Sequence, residues 1–394
     1  SFLSIDDHVL GSRSPSDFVE QDLRSLTLPA SLLLASSPET FGKFCNGDGQ
    51  VAEAICIFIS KFEVSFINVY RANSLNECRI RRTLCHALLE WDNLQVEAEE
   101  IDALAQRQLH QDTSIGPPNE PYSLSSWVYH HKLEMVRTVI QLGFEQAIYA
   151  PYELAGMYWY LVHICDIHLA HLERISYYVT ETQAGCKRDI HNDGREQALQ
   201  ECETALNRLF KHYSWLEATR ALASSLHLIY VVVCRHGHCK QPSKVYSTDE
   251  MRHEIRMKPF LNVTVPVAVS AQDLADHSLL VKSSTEELLG RLTTSISKSC
   301  QSWQRISKTS WNVGHVGYGT EKQILDAKWQ NDIRNSLRTA IMADMVAVKL
   351  KQLDVRTGIS RFELPELSSK DRPHARWIVP VVEIGQKENG GTRG

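Results

Sequence analysis

The residues best suited to binding a metal ion lie in one short segment, Cys234-Arg235-His236-Gly237-His238-Cys239. Thiolate sulfur and imidazole nitrogen are ligands that zinc prefers in proteins. Zinc motifs usually leave about two to four residues between paired ligands, however, and no second pair follows this one at a finger-like distance. The segment also fits a helix end capped by Gly237, with histidines near the last carbonyl groups. Both interpretations stay open, and the helix end is favoured.

A second group of possible ligands, His163, Cys165, His168 and His171, lies on one predicted helix. His168 and His171 are three residues apart and are therefore neighbours on the helix surface. The chain has no His-Glu-x-x-His motif, which would supply two zinc ligands and a general base together. We therefore expect these histidines to be core residues or to make contacts between helices, and the sequence predicts no metal-ligating residue.

Motifs for catalysis and cofactor binding are also missing from the sequence. It has no Gly-x-Ser-x-Gly nucleophile turn and no Gly-x-x-x-x-Gly-Lys-Ser/Thr phosphate loop. The segment Gly314-His315-Val316-Gly317-Tyr318-Gly319 imitates the turn with which N-acetyltransferases bind acetyl-CoA. That turn needs Arg or Gln where Gly314 stands, so we interpret the segment as a flexible connection between helices. No catalytic and no cofactor-binding residue is predicted.

Composition and charge are those of an ordinary globular chain. The 394 residues include 42 Lys and Arg against 47 Asp and Glu, a net charge of −5. This balance gives no basic footprint for sequence-specific nucleic-acid binding, and the apolar runs fall far short of the roughly 20 residues of a membrane span.

Ten scattered cysteines without a CxxC pair suit a reducing compartment, so the predicted location is the cytoplasm. The chain starts at Ser1 without an initiating Met or a signal-peptide pattern, and we expect a fragment of a longer chain.

Helices must position these residues, because apolar side chains recur with helical spacing along most of the chain. The predicted fold class is all-α, an irregular array of long amphipathic helices with one short C-terminal edge strand or extended segment. No 34-residue tetratricopeptide spacing and no ankyrin signature is present. Breaks and composition divide the chain into short helices and loops at 1–49, a central helical domain at 50–240 with an aromatic motif at 143–161, a loop region at 241–269, C-terminal helices and an extended segment at 270–384, and a disordered tail at 385–394.

Two boundaries in the central domain are specific enough to check. A helix from Leu154 to about Val179 should be followed by a polar loop around 183–194. The next helix, from Arg195 to Cys234, should break near Tyr213-Ser214-Trp215.

The C-terminal region also gives definite expectations. Residues 320–353 should form an amphipathic helix whose apolar stripe is spaced four residues apart: Leu325, Trp329, Ile333, Leu337, Ile341 and Met345. Residues 377–384 form the only convincing strand, and Pro380 confines it to an edge position or to an extended docking segment.

The most distinctive motif is the aromatic segment Gly143-Phe144-Glu145-Gln146-Ala147-Ile148-Tyr149-Ala150-Pro151-Tyr152-Glu153-Leu154, which is followed by Met157-Tyr158-Trp159-Tyr160-Leu161. It resembles the central signature of the large auxiliary subunit of the N-terminal acetyltransferase C complex (NatC). In that family a helix ends in Gly-Phe-Glu, a Tyr-x-Pro-x-Glu turn follows, and an aromatic helix comes next. The segment Arg256–Leu261 is similar to a later family motif. The family's N-terminal Met-Asp-Pro-Lys-Met-Asp-type motif is missing, which implies the central and C-terminal part of such a subunit.

The resemblance implies a non-catalytic scaffold. Family members bind and stabilise a catalytic GNAT-type subunit, together with a small Sm-like subunit, and acetyl-CoA binds only in the catalytic partner. The complex acetylates nascent chains that begin with Met and a bulky hydrophobic residue, close to the ribosome. Two alternatives stay open: a helical scaffold of an unrelated cytosolic complex, and a metal-dependent enzyme that uses the segment Cys234–Cys239 with a histidine from the helix that begins at Leu154.

The resemblance gives the motif residues a candidate role in the partner interface. These residues are Gly143, Phe144, Glu145, Tyr149, Pro151, Tyr152, Glu153, Tyr158, Trp159 and Tyr160. Tyrosine and tryptophan give a large amphipathic contact area with few torsions and are enriched in interface cores. The aromatic rings fit an intramolecular role equally, because they would seal a helical hairpin at the Pro151 turn.

Overall fold

The computed structural model describes residues 153–188, 195–238, 282–308, 320–353, 358–364 and 377–385, together with individual positions between 54 and 65, 90 and 104, and 124 and 140, and Leu280. The predicted all-α class is confirmed. The predictions for residues 1–49 and 241–269, and for the tail beyond Gly385, lie outside these residues. The labelled elements are α1 (Leu154–Arg188), α2 (Arg195–Arg235), α3 (Thr285–Lys308), α4 (Thr320–Leu350), β1 (Ile359–Glu363) and β2 (Val381–Ile384).

Helices α1 and α2 are antiparallel neighbours. The hydroxyl of Tyr213 donates a hydrogen bond to the carboxylate of Glu173, over 3.1 Å, and Arg220 pairs with Asp166. A step of seven residues forward on α2 therefore matches a step of seven residues backward on α1. This register places the tyrosine-rich start of α1 against the apolar last turns of α2.

The predicted end of α1 was wrong, because the helix continues through residues assigned to the polar loop and ends at Arg188. Its last turn carries Lys187 and Arg188, whose positive charges are favourable near the free carbonyl groups of a helix end. The guanidinium of Arg188 also donates a hydrogen bond to the carbonyl oxygen of Ala184, over 3.2 Å. Charge and hydrogen bonding thus stabilise a last turn that has few apolar residues.

The predicted break in α2 at 213–215 was also wrong, and the helix runs unbroken over 41 residues. The hydroxyl of Ser214 donates to the carbonyl oxygen of Phe210 one turn back, over 2.9 Å, so this residue stays within the helix. The predicted cap by Gly237 is confirmed. Gly237 has a φ of 88°, and the N–H of His238 bonds to the carbonyl oxygen of Val233 over 3.2 Å, the pattern of a Schellman end.

Helix α3 begins after an N-cap at Ser284. The N–H of Glu287 donates to the hydroxyl of Ser284, over 3.1 Å, and Ser284 and Glu287 have the spacing of a Ser-x-x-Glu box. The helix packs on α2, where the hydroxyl of Ser295 donates to the carbonyl oxygen of Ala221 over 3.0 Å and Lys298 pairs with Glu217 over 3.0 Å.

The stripe predicted for α4 was only partly right. Ile333 is buried and Leu337 is half-buried, but Ile341 and Met345 are exposed. The side chains of Leu325 and Trp329 lie outside the described ones. Four residues turn a helix by roughly 400°, so a stripe of this spacing drifts by about 40° at each step. The buried face instead alternates steps of three and four: Ile333, Ser336, Ala340, Ala343, Ala347 and Leu350.

The C-terminal segment has two strands, where the sequence predicted one. Strand β1 pairs antiparallel with β2, with Phe362 opposite Val382 and Glu363 opposite Val381. The predicted extended docking segment is confirmed at residues 377–380, which precede β2 and are buried. We call residues 377–380 the docked segment. Pro380, at its end, donates no hydrogen bond and precedes the ladder.

One hydrophobic core runs through the described residues, from Phe58 to Val382. Helix α2 lies within it. By length and composition α2 would be long and apolar enough to cross a membrane, but 83% of its apolar window is buried inside the protein. Burial against neighbouring helices accounts for an apolar helix of this kind.

Candidate functional site

The structure describes part of the aromatic motif. Tyr158, Trp159 and Tyr160 lie in the first turns of α1, and Glu153 directly precedes the helix. The other motif residues lie outside the described ones: Gly143, Phe144, Glu145, Tyr149, Pro151 and Tyr152. Glu153, Tyr158 and Tyr160 are buried, whereas Trp159 is partly exposed. Three of the four described motif side chains therefore pack inside this chain.

Tyr158 connects the start of α1 to the docked segment. Its hydroxyl oxygen accepts a hydrogen bond from the backbone N–H of Ile378, over 2.8 Å. Its ring stacks on Tyr230 of α2 and on Trp377, with ring centroids 6.0 Å and 6.2 Å away. Complete burial raises the pKa of the Tyr158 phenol far above its usual range, so this hydroxyl stays neutral.

Tyr230 binds the other backbone group of the same residue. Its hydroxyl donates a hydrogen bond to the carbonyl oxygen of Ile378, over 3.0 Å. An extended segment lacks the internal hydrogen bonds of a helix, so its buried N–H and C=O groups need partners elsewhere. Two phenols from two helices supply these partners at Ile378 and fix the docked segment in place.

An ion pair lies beside the docked segment. The guanidinium of Arg137, whose side chain is 1% exposed, lies 2.9 Å from a carboxylate oxygen of Asp332 on α4. The indole N–H of Trp215 donates to the other oxygen of Asp332, over 3.2 Å. Arg137 also lies over the ring of Trp377, 4.9 Å from its centroid, and the indole N–H of Trp377 donates to Ser336 over 3.2 Å.

These contacts form a junction between elements that are far apart in sequence. We use the name "junction" for Arg137, Tyr158, Trp215, Tyr230, Asp332, Ser336, Trp377 and Ile378. Its members come from the positions at 124–140, from α1, α2 and α4, and from the docked segment. What this arrangement can do is mechanical, because its hydrogen bonds and ion pair connect α1, α2, α4 and the docked segment.

The histidines of α1 lie in a second buried cluster. The ring of Tyr129 lies 4.5 Å from the ring of His171 and 5.4 Å from that of His168, and His168 meets His212 of α2 at 4.9 Å. Burial, with the nearby charges of Arg174 and His212, lowers the pKa of His171 to about 3, and burial lowers that of His212 to about 4. His171 and His212 are therefore neutral near pH 7. The prediction that His168 and His171 are core residues is confirmed.

The other sulfur and imidazole candidates have packing roles where the structure describes them. Cys165 is buried, and burial raises the pKa of its thiol far above the usual range. The ring of His238 lies 5.8 Å from that of Phe362, and its Nε2 lies 3.0 Å from the carbonyl oxygen of Ile359. Cys239 lies outside the described residues. Among those described, no group of three or more His, Cys, Asp or Glu could hold a metal ion.

Two exposed apolar features were missed by the sequence analysis. The outer face of α4 carries Ile341, Met342, Met345 and Val348. Tyr177 of α1 and Phe210 of α2 are 70% and 67% exposed, and the α1–α2 register puts them at the same level. The stripe on α4 was detectable in the sequence as apolar positions between the buried ones: Ile341 and Met342 lie between Ala340 and Ala343, and Met345 and Val348 lie on either side of Val346 and Ala347.

Comparison with known proteins identifies similar chains. A family model described as "NAA35-like, TPR repeats" matches residues 1–351. The chain is 24% identical over 319 residues to the human "N-alpha-acetyltransferase 35, NatC auxiliary subunit", an alignment that covers 80% of this chain and 42% of that protein. It is 24% identical over 307 residues to the Schizosaccharomyces pombe protein of the same description, covering 76% and 38%. The chain thus spans less than half the length of these relatives.

Solved structures have the same fold. The crystal structure of the NatC complex bound to Gag peptide and CoA contains a chain that matches with a TM-score of 0.55 and 15% identity, over 97% of this chain and 52% of that one. A chain of the apo NatC complex matches with a TM-score of 0.54 and 15% identity, over 96% and 51%. The family description names TPR repeats. Helices α1 and α2, of 35 and 41 residues, each exceed a whole repeat of about 34 residues, which explains why no such period is visible here.

Proposed function

The chain belongs to the NAA35-like family of TPR-repeat proteins, and from that premise we propose that it is a non-catalytic auxiliary subunit of a NatC-type N-terminal acetyltransferase. The match of the family model to residues 1–351 carries this proposal. The curated relatives are described as NatC auxiliary subunits, and chains of the same fold occur in NatC complexes. We propose the same role for this chain.

The geometry of the described residues agrees with a scaffold. Burial strongly shifts the pKa values of Tyr158, Cys165 and His171, and all three are neutral near pH 7. The junction uses its polar atoms to connect helices and the docked segment. Such a frame would provide a surface against which a catalytic subunit can be positioned, and the ion pair of the 1% exposed Arg137 with Asp332 is one of the contacts that connect it.

The proposal extends to the partners. The chain would bind a catalytic GNAT-type subunit and a small Sm-like subunit, with acetyl-CoA held by the catalytic partner alone. The complex would act in the cytoplasm on nascent chains that begin with Met and a bulky hydrophobic residue, near the ribosome. The aromatic motif would contribute by ordering the start of α1, since Tyr158 and Tyr160 are fully buried, and by the partly exposed Trp159 at the surface.

An acetyl-transfer assay tests this proposal. A peptide beginning with Met-Leu is incubated with acetyl-CoA and either this chain, the NatC catalytic subunit, or both purified together. We expect no transfer by this chain alone and more transfer by the pair than by the catalytic subunit alone. Transfer by this chain alone, or no effect of the chain on the catalytic subunit, would contradict the auxiliary role.

A further inference from the structure

The outer face of α4 carries an exposed apolar surface within eight residues. We call Ile341, Met342, Met345 and Val348 the apolar stripe; their exposed fractions are 47%, 45%, 60% and 50%. The opposite face of the same helix is fully occupied, since Ala343 and Leu350 are completely buried. The helix therefore has a second apolar face that no described part of the chain covers.

The spacing of the apolar stripe suits a second helix. Arg338, Ile341, Met345 and Val348 follow one another at steps of three, four and three. This alternation keeps the positions on one seam of a helix, where a partner helix can insert its own side chains. Methionine adds to this fit because its unbranched side chain adapts to the shape of an incoming surface.

Basic residues flank both ends of the apolar stripe. Arg334 and Arg338 are exposed before it, and Lys351 is exposed beyond it, with the half-buried Lys349 between. Asp344 is the one exposed acidic residue on α4 between Arg334 and Lys351. This local excess of positive charge contrasts with the net charge of −5 of the whole chain, and it favours a partner with acidic residues on either side of its apolar face.

The same charges disfavour a second copy of this chain as the occupant. If two copies of α4 paired in parallel, Arg334 and Arg338 would meet their own counterparts. If they paired antiparallel, the arginines of one copy would meet Lys349 and Lys351 of the other. Both arrangements place like charges together, which costs binding free energy.

We propose that the apolar stripe binds an amphipathic helix of the catalytic acetyltransferase partner, one with apolar residues at three- and four-residue spacing and acidic residues on its flanks. This inference rests on the proposed function, because that function supplies the partner. The binding mode is a helix packed along a helix, with Ile341 and Met345 at the centre of the contact. Arg334 and Arg338 would set the direction in which the partner helix runs.

Co-purification with variants tests this inference. The full chain is co-expressed with the tagged NatC catalytic subunit, either as wild type or as Ile341→Glu/Met345→Glu. Loss of central apolar contacts should lower recovery of the variant by about tenfold or more. Phe210→Glu is the matched control, since Phe210 is 67% exposed but lies on α2, and it should be recovered like the wild type. Recovery of Arg334→Glu/Arg338→Glu should also be lower than that of the wild type, and this difference should become smaller at high salt.

The outcomes separate this inference from the proposed function. If the wild-type chain does not recover the catalytic subunit, the proposed function is contradicted. If the wild type and Ile341→Glu/Met345→Glu recover it equally, only the inference is contradicted. Three further results would overturn the inference by showing another occupant of the apolar stripe. A dimer that Ile341→Glu/Met345→Glu makes monomeric would show a second copy, and binding to anionic lipid vesicles that this variant abolishes would show a membrane surface. A melting temperature that falls in this variant but not in Phe210→Glu would show that another part of the same chain covers the stripe.

Discussion

The hydroxyl of Tyr158 accepts a hydrogen bond from the backbone N–H of Ile378, 220 positions away in sequence, over 2.8 Å. One residue of the aromatic motif thus bonds directly to the docked segment. Because Tyr230 binds the carbonyl oxygen of Ile378 as well, the central helices and the C-terminal segment share a buried hydrogen-bonded contact. The aromatic motif therefore has a structural role within this chain, which is separate from any contact that the partly exposed Trp159 makes with a partner.

Tyr158→Phe tests the strength of this contact. The substitution keeps the ring but leaves the buried N–H of Ile378 without the hydroxyl oxygen, which should lower the free energy of unfolding by about 1–3 kcal/mol. Urea unfolding followed by circular dichroism measures the change. Tyr177→Phe is the matched control, because Tyr177 is 70% exposed, and its effect should stay within about 0.5 kcal/mol. Equal effects of the two substitutions would refute the role given to Tyr158.

Asp332→Ala tests the ion pair of the junction. It removes the carboxylate that faces the buried guanidinium of Arg137 and accepts from Trp215. Breaking a buried pair costs about 3–5 kcal/mol, and the partial exposure of Asp332 places the expected loss near the lower value. Chemical unfolding is again the measurement. Arg291→Ala removes the exposed partner of Glu287 and leaves the start of α3 intact, so it should cost about 0.5 kcal/mol or less; a similarly small loss for Asp332→Ala would be inconsistent with a buried, tightly held pair.

His171 makes stability depend on pH. Its pKa in the folded chain is about 3, against an ordinary value of 6.5, so between these values the unfolded chain binds one proton more at this site. The stabilisation is complete above about pH 6.5 and decreases on acidification, by about 1.4 kcal/mol per pH unit. We expect His171→Phe, which keeps a ring beside Tyr129, to lose this contribution. Urea unfolding of both proteins from about pH 6.5 to 4.5 measures it.

The free energy of unfolding must be compared between the variant and the wild type at each pH, because Asp102 changes stability with pH in the opposite direction. Burial raises its pKa to about 6, although it accepts hydrogen bonds from Leu124 and Ser125. The folded chain therefore holds the extra proton at Asp102 between about pH 4 and 6. This contribution is the same in both proteins. If the two unfolding free energies kept a constant difference across this range, the neutral buried state of His171 would be contradicted.

The segment 234–239 gives a prediction about metal. His238 packs against Phe362 and lies within hydrogen-bonding distance of the carbonyl oxygen of Ile359, which ties its ring to β1. We therefore expect purified protein to contain zinc well below one atom per chain, and its melting temperature to be unchanged by a chelator. Elemental analysis by mass spectrometry decides this. Stoichiometric zinc that is lost in Cys239→Ser would instead support the metal-dependent alternative.

Local signals in the sequence were sufficient to predict those features that neighbouring residues determine. The end of α2 was predicted from Gly237, because only a residue tolerant of positive φ fits that position easily. The docked segment was predicted from Pro380, which cannot donate to a sheet. The core position of His168 and His171 followed from helical spacing and from the missing motif around them.

Contacts between distant residues determined what the sequence analysis missed. Tyr213-Ser214-Trp215 looked like a break, but Ser214 bonds within the helix and Trp215 binds Asp332, 117 positions away. Strand β1 is short and carries charged Arg361 and Glu363, and it is defined by its pairing with β2. No spacing rule reveals the pairing of Arg137 with Asp332, since it depends on how two helices pack.

The most direct test of the central claim is affinity purification of the tagged protein from its own cells, followed by mass spectrometry of the proteins that accompany it. The auxiliary role predicts a GNAT-type acetyltransferase and a small Sm-like protein in amounts comparable to the tagged chain. Recovery of a different stable complex without an acetyltransferase would contradict that role, and would leave the helical array and its junction as a scaffold for other partners.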